Sequence, residues 1–293
     1  FAHGPMPSGA QPLAVLRAHQ AAVNDLAFSP DASLLASASA DGGIRIWDIP
    51  TRRTAVSTVA HDSLSVLGLC FTPEGHLYSQ GRDGRVVSWD LADGELREST
   101  STVFTSYNFC KFAMGSDMVD NNVMALPTED GKVELHDPRV GKAVSCYRAA
   151  CKDKTGLVMS LHFPEVGESG RRYVCAGYEG GQLVIWQLGA ETQPVYLGKL
   201  HTEPLLTIAS TYDGRLGTGG ADNQYKVYYW NHDQLDQQDC MGYSNGAASS
   251  SFRSDGRVLA VGCWDHRVRL YDVRKRKQVA LLKQHSGSIN AVP

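Results

Sequence analysis

The sequence predicts an all-β fold, a seven-bladed β-propeller whose seventh blade is incomplete, and three observations carry that prediction. A strand, a tight turn and a second strand recur along the chain, as "LLASASADGGIRIWD" (34–48) and "LYSQGRDGRVVSWD" (77–90). Weaker copies follow as "MALPTEDGKVELHD" (124–137), "VCAGYEGGQLVIWQ" (174–187), "LGTGGADNQYKVYYW" (216–230) and "LAVGCWDHRVRLYD" (259–272). The turn markers Asp41, Asp83, Asp130, Gly180, Asp222 and Asp265 are spaced by 42, 47, 50, 42 and 43 residues. A period near 40 to 45 residues suits a four-stranded propeller blade. Finally, the chain closes on "QHSGSINAVP" (284–293), which has the outline of "AHQAAVNDLAFSP" near its start.

Each element follows from local chemistry. Within a copy the alternation has the period of a strand, as in Ile44 and Ile46 or Val268 and Leu270, and Asp-Gly or Gly-Gly supplies the positive φ of a hairpin turn. Residues 1–11 are expected to be a disordered amino-terminal segment, with a single propeller domain over 12–293. "PLAVLRAH" (12–19) is placed to close the ring as a strand of the last blade, because an open blade leaves unpaired backbone at its edge. His19, His61, His201 and His285 open four copies, the first three lying 21 or 22 residues ahead of their turn marker. That interval puts a seventh turn beyond Pro293, so blade seven is expected to be truncated, and the fragment less stable than a longer form.

The arrangement resembles the WD-repeat (WD40) β-propeller family from about residue 12 onward, with "IWD" (46–48) and "SWD" (88–90) as the signature dipeptides. The resemblance implies a side-chain network in each well-formed blade: His19, Ser37, Asp41 and Trp47 in blade one, and His61, Ser79, Asp83 and Trp89 in blade two. Blade five keeps His201, Thr218 and Asp222 but has Tyr228 in the Trp position. Blade four has Gly180 for the Asp, and blades three and six lack the His, so apolar packing is expected to hold them instead.

Composition excludes several function classes. The formal charge is −3, and the longest cationic run is "RKRK" (274–277), shorter than a nucleic-acid arm requires; no nucleic-acid partner is expected. No apolar run approaches a membrane span. Seven cysteines scattered without C-x-x-C pairs suit reduced thiols in the cytoplasm or nucleus. "GYSNG" (242–246) fits G-x-S-x-G at Ser244 but lacks the strand-to-helix setting a nucleophile needs. "HTE" (201–203) lacks the P-C-x-x-C of zinc deaminases, and the glycines of 214–223 lack the Lys-Ser/Thr of a phosphate loop. The reading is a non-enzyme with no catalytic residues, cofactor, metal or small-molecule substrate.

Function on a rigid propeller sits on the loops of one face or around the channel. The position before each turn marker holds Ala40, Arg82, Glu129, Glu179, Ala221 and Trp264. Trp and Arg dominate binding hot spots, so a protein-interaction patch is expected from Arg82, Tyr178, Glu179, Trp264, His266 and Arg267. The connections 114–123, 141–156 and 231–248 are secondary candidates.

"SQGRDG" (79–84), "AGYEGG" (176–181) and "WDHRVRLYD" (264–272) are similar to the G-protein β-subunit-like or ASTRA-associated subfamily of WD-repeat proteins, and "YNFCKF" (107–112) to its plant members. That resemblance implies a scaffold associated with the co-chaperone assembly that matures PI3K-like kinases. A second reading is a substrate receptor for a cullin–RING ubiquitin ligase adaptor, through "LHDPR" (135–139) and "LYDVR" (270–274), which approximate W-D-x-R.

Overall fold

The computed structural model describes residues 12–104, 109–116, 122–149, 155–164, 171–190, 193–231, 234–243 and 245–293. They form six antiparallel sheets of four strands each, taken in chain order from the innermost strand outward. Blade one is β1 (Val23–Phe28), β2 (Leu34–Ser39), β3 (Gly43–Asp48) and β4 (Arg53–Val59). Blade two is β5 (Val66–Phe71), β6 (Leu77–Gly81), β7 (Arg85–Ala92) and β8 (Glu95–Val103). Blade three is β9 (Ala113–Ser116), β10 (Asn122–Pro127), β11 (Lys132–Asp137) and β12 (Lys142–Arg148). Blade four is β13 (Val158–His162), β14 (Tyr173–Tyr178), β15 (Gln182–Gln187) and β16 (Tyr196–Lys199). Blade five is β17 (Leu205–Ser210), β18 (Arg215–Gly220), β19 (Gln224–Trp230) and β20 (Leu235–Gly242). Blade six is β21 (Ala247–Phe252), β22 (Val258–Cys263), β23 (Val268–Asp272) and β24 (Lys277–Leu282).

The turn between the second and third strands explains the repeated sequence. Its residue after the marker has positive φ in every blade: Gly42, Gly84, Gly131, Gly181, Asn223 and His266. Glycine is the natural occupant and Asn tolerates the conformation, whereas His266 adopts it against its Cβ. Strand alternation then gives each blade two apolar faces. In blade four, Val174, Ala176, Val184 and Trp186 pack back onto Val123, Ala125, Val133 and Leu135 of blade three. The opposite face, with Tyr173, Cys175, Leu183 and Ile185, packs forward onto Leu205, Ile208 and Leu216 of blade five.

The structure corrects the expected blade count: the described residues contain six blades, not six and part of a seventh. After β24 the chain forms no strand, because a lone segment has no neighbouring strand with which to build a ladder. It nevertheless packs like an innermost strand. Ile289 N–H donates to Cys263 O (3.2 Å), and Asn290 Nδ2 donates to Val23 O (3.0 Å). The latter repeats the bond from Asn24 Nδ2 to Val66 O (2.8 Å) between blades one and two. Residues 12–19 do not close the ring as a strand; Leu13 is 88% exposed, its carbonyl accepting from Arg52 Nη1 (3.3 Å). Residues 1–11 lie outside the described residues.

Hydrogen-bonded networks hold the turns to the blades, unevenly. In blade two, Trp89 Nε1–H donates to Ser79 Oγ (2.8 Å), His61 Nε2 lies 2.7 Å from the same oxygen, and His61 Nδ1 lies 2.9 Å from Asp83. Blade five joins His201 to Thr218 Oγ1 (2.9 Å) and Asp222 (2.9 Å) although Tyr228 replaces the Trp. Blade one joins Trp47 and His19 to Ser37, while Asp41 accepts from Gly43 N–H (3.1 Å). Blade four has lost the chain of partners: Ala176 replaces the hydroxyl, and a Cβ at Gly180 would collide with the Gln182 amide. Trp186 is left fully buried with its Nε1 unpaired among the described residues.

Blade six departs from the expectation of apolar packing alone. Arg269 grips Asp265 through both guanidinium ends (3.0 and 2.6 Å), nine-tenths buried, and lies 5.4 Å above the Tyr243 ring. This pair holds the Asp265 carboxyl below its ordinary range and fixes the turn that His fixes elsewhere.

Two outcomes follow from these networks. Trp89→Phe removes the donor to Ser79, whereas Trp186→Phe removes an N–H that has no acceptor; the first is expected to cost about 1–2 kcal/mol more in urea unfolding. The second concerns His162, whose Nε2 is 2.8 Å from Ser210 Oγ and whose burial pulls its pKa down to about 4. The unfolded chain binds the proton near pH 6.5 and the native state does not, so stability falls as pH drops between those values. His162→Gln is expected to remove about 2 kcal/mol of the stability difference between pH 7.5 and pH 5, read from urea midpoints.

Candidate functional site

The innermost strands surround a central channel with a cavity of about 400 Å³. Its mouth lies on the face that carries the turns between second and third strands. Two aromatic side chains line it: Phe109, 66% exposed in the connection from blade two to blade three, and Trp264, 42% exposed at the blade-six turn. The exposed Arg82 places its guanidinium 4.7 Å from the centre of the Phe109 ring, a cation–π contact that stiffens both side chains. Leu64 and Leu157, in the connections leading into blades two and four, add exposed apolar surface to the same face.

A polar clasp sits just inside. Lys111 Nζ donates to Asp25 Oδ1 (2.7 Å), Asn24 O (3.0 Å) and Asn290 O (3.3 Å), while Asp25 Oδ2 accepts from Leu69 N–H (2.8 Å). One ammonium therefore ties the approach to blade three to blade one and to the terminal segment. Gln80 continues the clasp, donating to Cys110 O (3.0 Å) and accepting from Phe112 N–H (2.7 Å).

The expected patch is only partly assembled. Arg82, Glu179, Trp264, His266 and Arg267 are exposed at the turns as expected. Trp264 also covers Gly246, where an added Cβ would meet its ring at 2.9 Å, so it packs on the blade-five connection while presenting its outer edge. Glu179 is engaged locally, accepting from Leu157 N–H (3.2 Å). Tyr178 is not a surface residue: it is fully buried, and its hydroxyl donates to Gly131 O (3.1 Å) in the blade-three turn. Burial pushes its pKa up. Burial on both faces explains the error: Tyr178 is the last residue of β14, a strand in which every residue is buried.

The secondary loop candidates shrink as well, because β12 occupies much of 141–156 and β20 much of 231–248. Ser244 and Cys151 lie outside the described residues. No group of three metal-ligating side chains occurs among the described residues, and no helix there is long and apolar enough to cross a membrane. Sequence reasoning missed Phe109 and Lys111, which fall between the repeated strand–turn–strand phrases, and Asp25 of β1. The available signal was "YNFCKF", which stands where other blades carry their His.

Comparison with known proteins agrees with this architecture. The family model "WD domain, G-beta repeat" matches residues 10–48 and 239–272. Across 98% of this chain and 90% of its own length, "Guanine nucleotide-binding protein subunit beta-like protein 1" of Mus musculus is 31% identical. The chain belongs to the WD-repeat family. Two further relatives, both named "ASTRA-associated protein 1", come from Verticillium alfalfae (26% identical, over 98% of this chain and 79% of the relative) and Schizosaccharomyces pombe (25%, over 96% and 92%). The fold and these names point to protein interaction rather than to an enzyme.

The clasp is directly testable. Lys111→Met leaves the Asp25 carboxylate with one donor, and the expected loss is about 1–2 kcal/mol in the urea midpoint. A double-mutant cycle with Asp25→Asn is expected to return a coupling of about 1 kcal/mol; additive effects would refute the clasp.

Proposed function

We propose that this protein is a non-enzymatic scaffold whose channel-mouth face docks partner proteins, and that its partners belong to an ASTRA-type assembly with co-chaperones that mature PI3K-like kinases. The observation that carries the docking face is the cluster of Phe109, Trp264 and Arg82, exposed together on a rigid rim. Such residues supply large contact areas at small entropic cost. The names of the fungal relatives support the assembly, and their similarity spans nearly the whole chain. The same reading places the protein in the cytoplasm, the nucleus or both.

The ubiquitin-ligase reading gains no support. Arg139, one of its two arginines, is clasped by Asp137 through Nε (3.1 Å) and Nη2 (2.8 Å), and the relatives compared carry no ligase name.

Affinity purification from native extract, with wild-type bait beside Arg82→Ala/Trp264→Ala bait, tests the proposal. Recovery of kinase-maturation co-chaperones with the wild type, reduced at least about tenfold by the double substitution, is expected. Equal recovery by both baits would move the interface to another face, and absence of those co-chaperones would overturn the assembly.

A further inference from the structure

A cleft lies away from the channel mouth. Between the outer strand of blade five and the end of blade six is a cleft of about 170 Å³. Val227, Met241, Tyr271 and Val273 give it apolar walls that continue the core shared by the two blades. Arg215, Arg274 and Arg276 also line it.

The commitments of these charges differ. Arg215 is paired with Asp213 through Nη1. In blade three, the counterpart of Arg274 is Arg139, which its own strand-end Asp137 holds with two bonds. In blade six the equivalent Asp272 is taken by Lys275, whose N–H donates to Oδ1 (2.9 Å) and whose Nζ lies 3.7 Å from Oδ2. The guanidiniums of Arg274 and Arg276 therefore have no carboxylate partner among the described residues. Arg276 sits in the turn after β23 with φ of +50° and lines the cleft.

We propose that this cleft binds an acidic, extended segment of a partner protein, one Glu or Asp carboxylate pairing with Arg274 and Arg276 while an adjacent apolar side chain rests on Met241, Tyr271 and Val273. The Asp239 and Asp272 carboxylates also line the cleft; counted with Asp213, which holds Arg215, and Lys275, which holds Asp272, four cations meet three anions. A single extra positive charge suits a monoanionic carboxylate better than a dianionic phosphate, which those carboxylates repel. The planar guanidinium fork matches a carboxylate with two parallel bonds. This site is independent of the channel-mouth proposal.

Fluorescence anisotropy on the whole chain tests it, with labelled peptides Leu-Glu-Leu-Glu-Leu, Leu-Gln-Leu-Gln-Leu and Leu-phosphoSer-Leu-phosphoSer-Leu as probes. The Glu peptide is expected to bind and to weaken as salt rises. Arg274→Ala/Arg276→Ala is expected to weaken it at least about tenfold, with Arg139→Ala and Arg82→Ala/Trp264→Ala unchanged. The exposed single variant Arg276→Gln, expected to weaken binding less, serves should the double variant unfold. Failure of the Glu peptide to bind, equal binding of the Gln peptide, or indifference to both substitutions would overturn the proposal. Tighter binding of the phosphorylated peptide would overturn the carboxylate assignment. None of these outcomes bears on the kinase-maturation partners.

Discussion

Face-to-face stacking of neighbouring sheets is the constraint on which everything else here depends. A four-stranded sheet with apolar residues on both faces cannot bury them by itself. Trp186 is buried because Ala125 and Leu135 of blade three lie against its face, and Tyr173 because Leu205 and Leu216 of blade five lie against the other. Burial of a large side chain contributes about 1.5–3 kcal/mol, so each blade draws much of its stability from its neighbours. The turns and channel are rigid because the stack is rigid. Where the stack ends, Asn290 reproduces for blade one the contact that Asn24 makes for blade two, and Lys111 fastens it from across the channel mouth.

Within that stack the polar networks vary more than the packing does. The complete version in blade two buries an imidazole and a carboxylate against each other. Desolvation lowers the His61 pKa, and the neighbouring Asp83 only partly offsets it, so the ring is neutral in the native protein near pH 7. Blade six reaches the same turn geometry with Arg269 and Asp265, and blade four, whose marker is Gly180, ties its turn through the Glu179 carboxylate to Leu157 N–H. The shared requirement is the backbone of the turn, with positive φ after the marker; the side chains that support it are interchangeable. This also explains why the Trp in blade four survives the loss of its acceptor: its ring still fills the gap beneath Tyr147, 5.8 Å away.

The fold was legible to the extent that it repeats. Turn residues with positive φ and strands with period two mark blades one to six almost residue by residue. Closure was not legible. Residues 12–19 and 284–293 carry the right apolar pattern, but pairing depends on neighbouring strands, and pattern alone does not supply them. The site was read in part. Arg82 and Trp264 fall at a position the repeat defines, so their exposure could be anticipated; Phe109 and Lys111 lie in a connection with no repeat to define them. Tyr178 was misplaced because it adjoins the exposed Glu179 yet still belongs to β14, a strand buried on both faces. Arg269 was hidden because an arginine inside a strand reads as an outward-facing charge until its carboxylate partner is seen.

Turn chemistry also accounts for where recognition can vary without harm to the fold. Outside blade four, where the marker is Gly180, the marker residue is held by its side-chain bonds, and in every blade the residue after it is held by its φ, so both are constrained. The residue before the marker meets neither demand and projects from the rim, which is why Ala40, Arg82, Glu129, Glu179, Ala221 and Trp264 differ so widely in chemistry. The ends of the third strands have a similar freedom: an Asp there caps the next turn, and the Arg two positions on either closes back on it, as Arg139 does, or is released, as Arg274 is. A ring fixed by stacking thus carries two sets of positions open to change, one around the channel mouth and one along the clefts between blades. The charge at each is set by exposed residues, while core residues such as Tyr271 form part of the cleft wall.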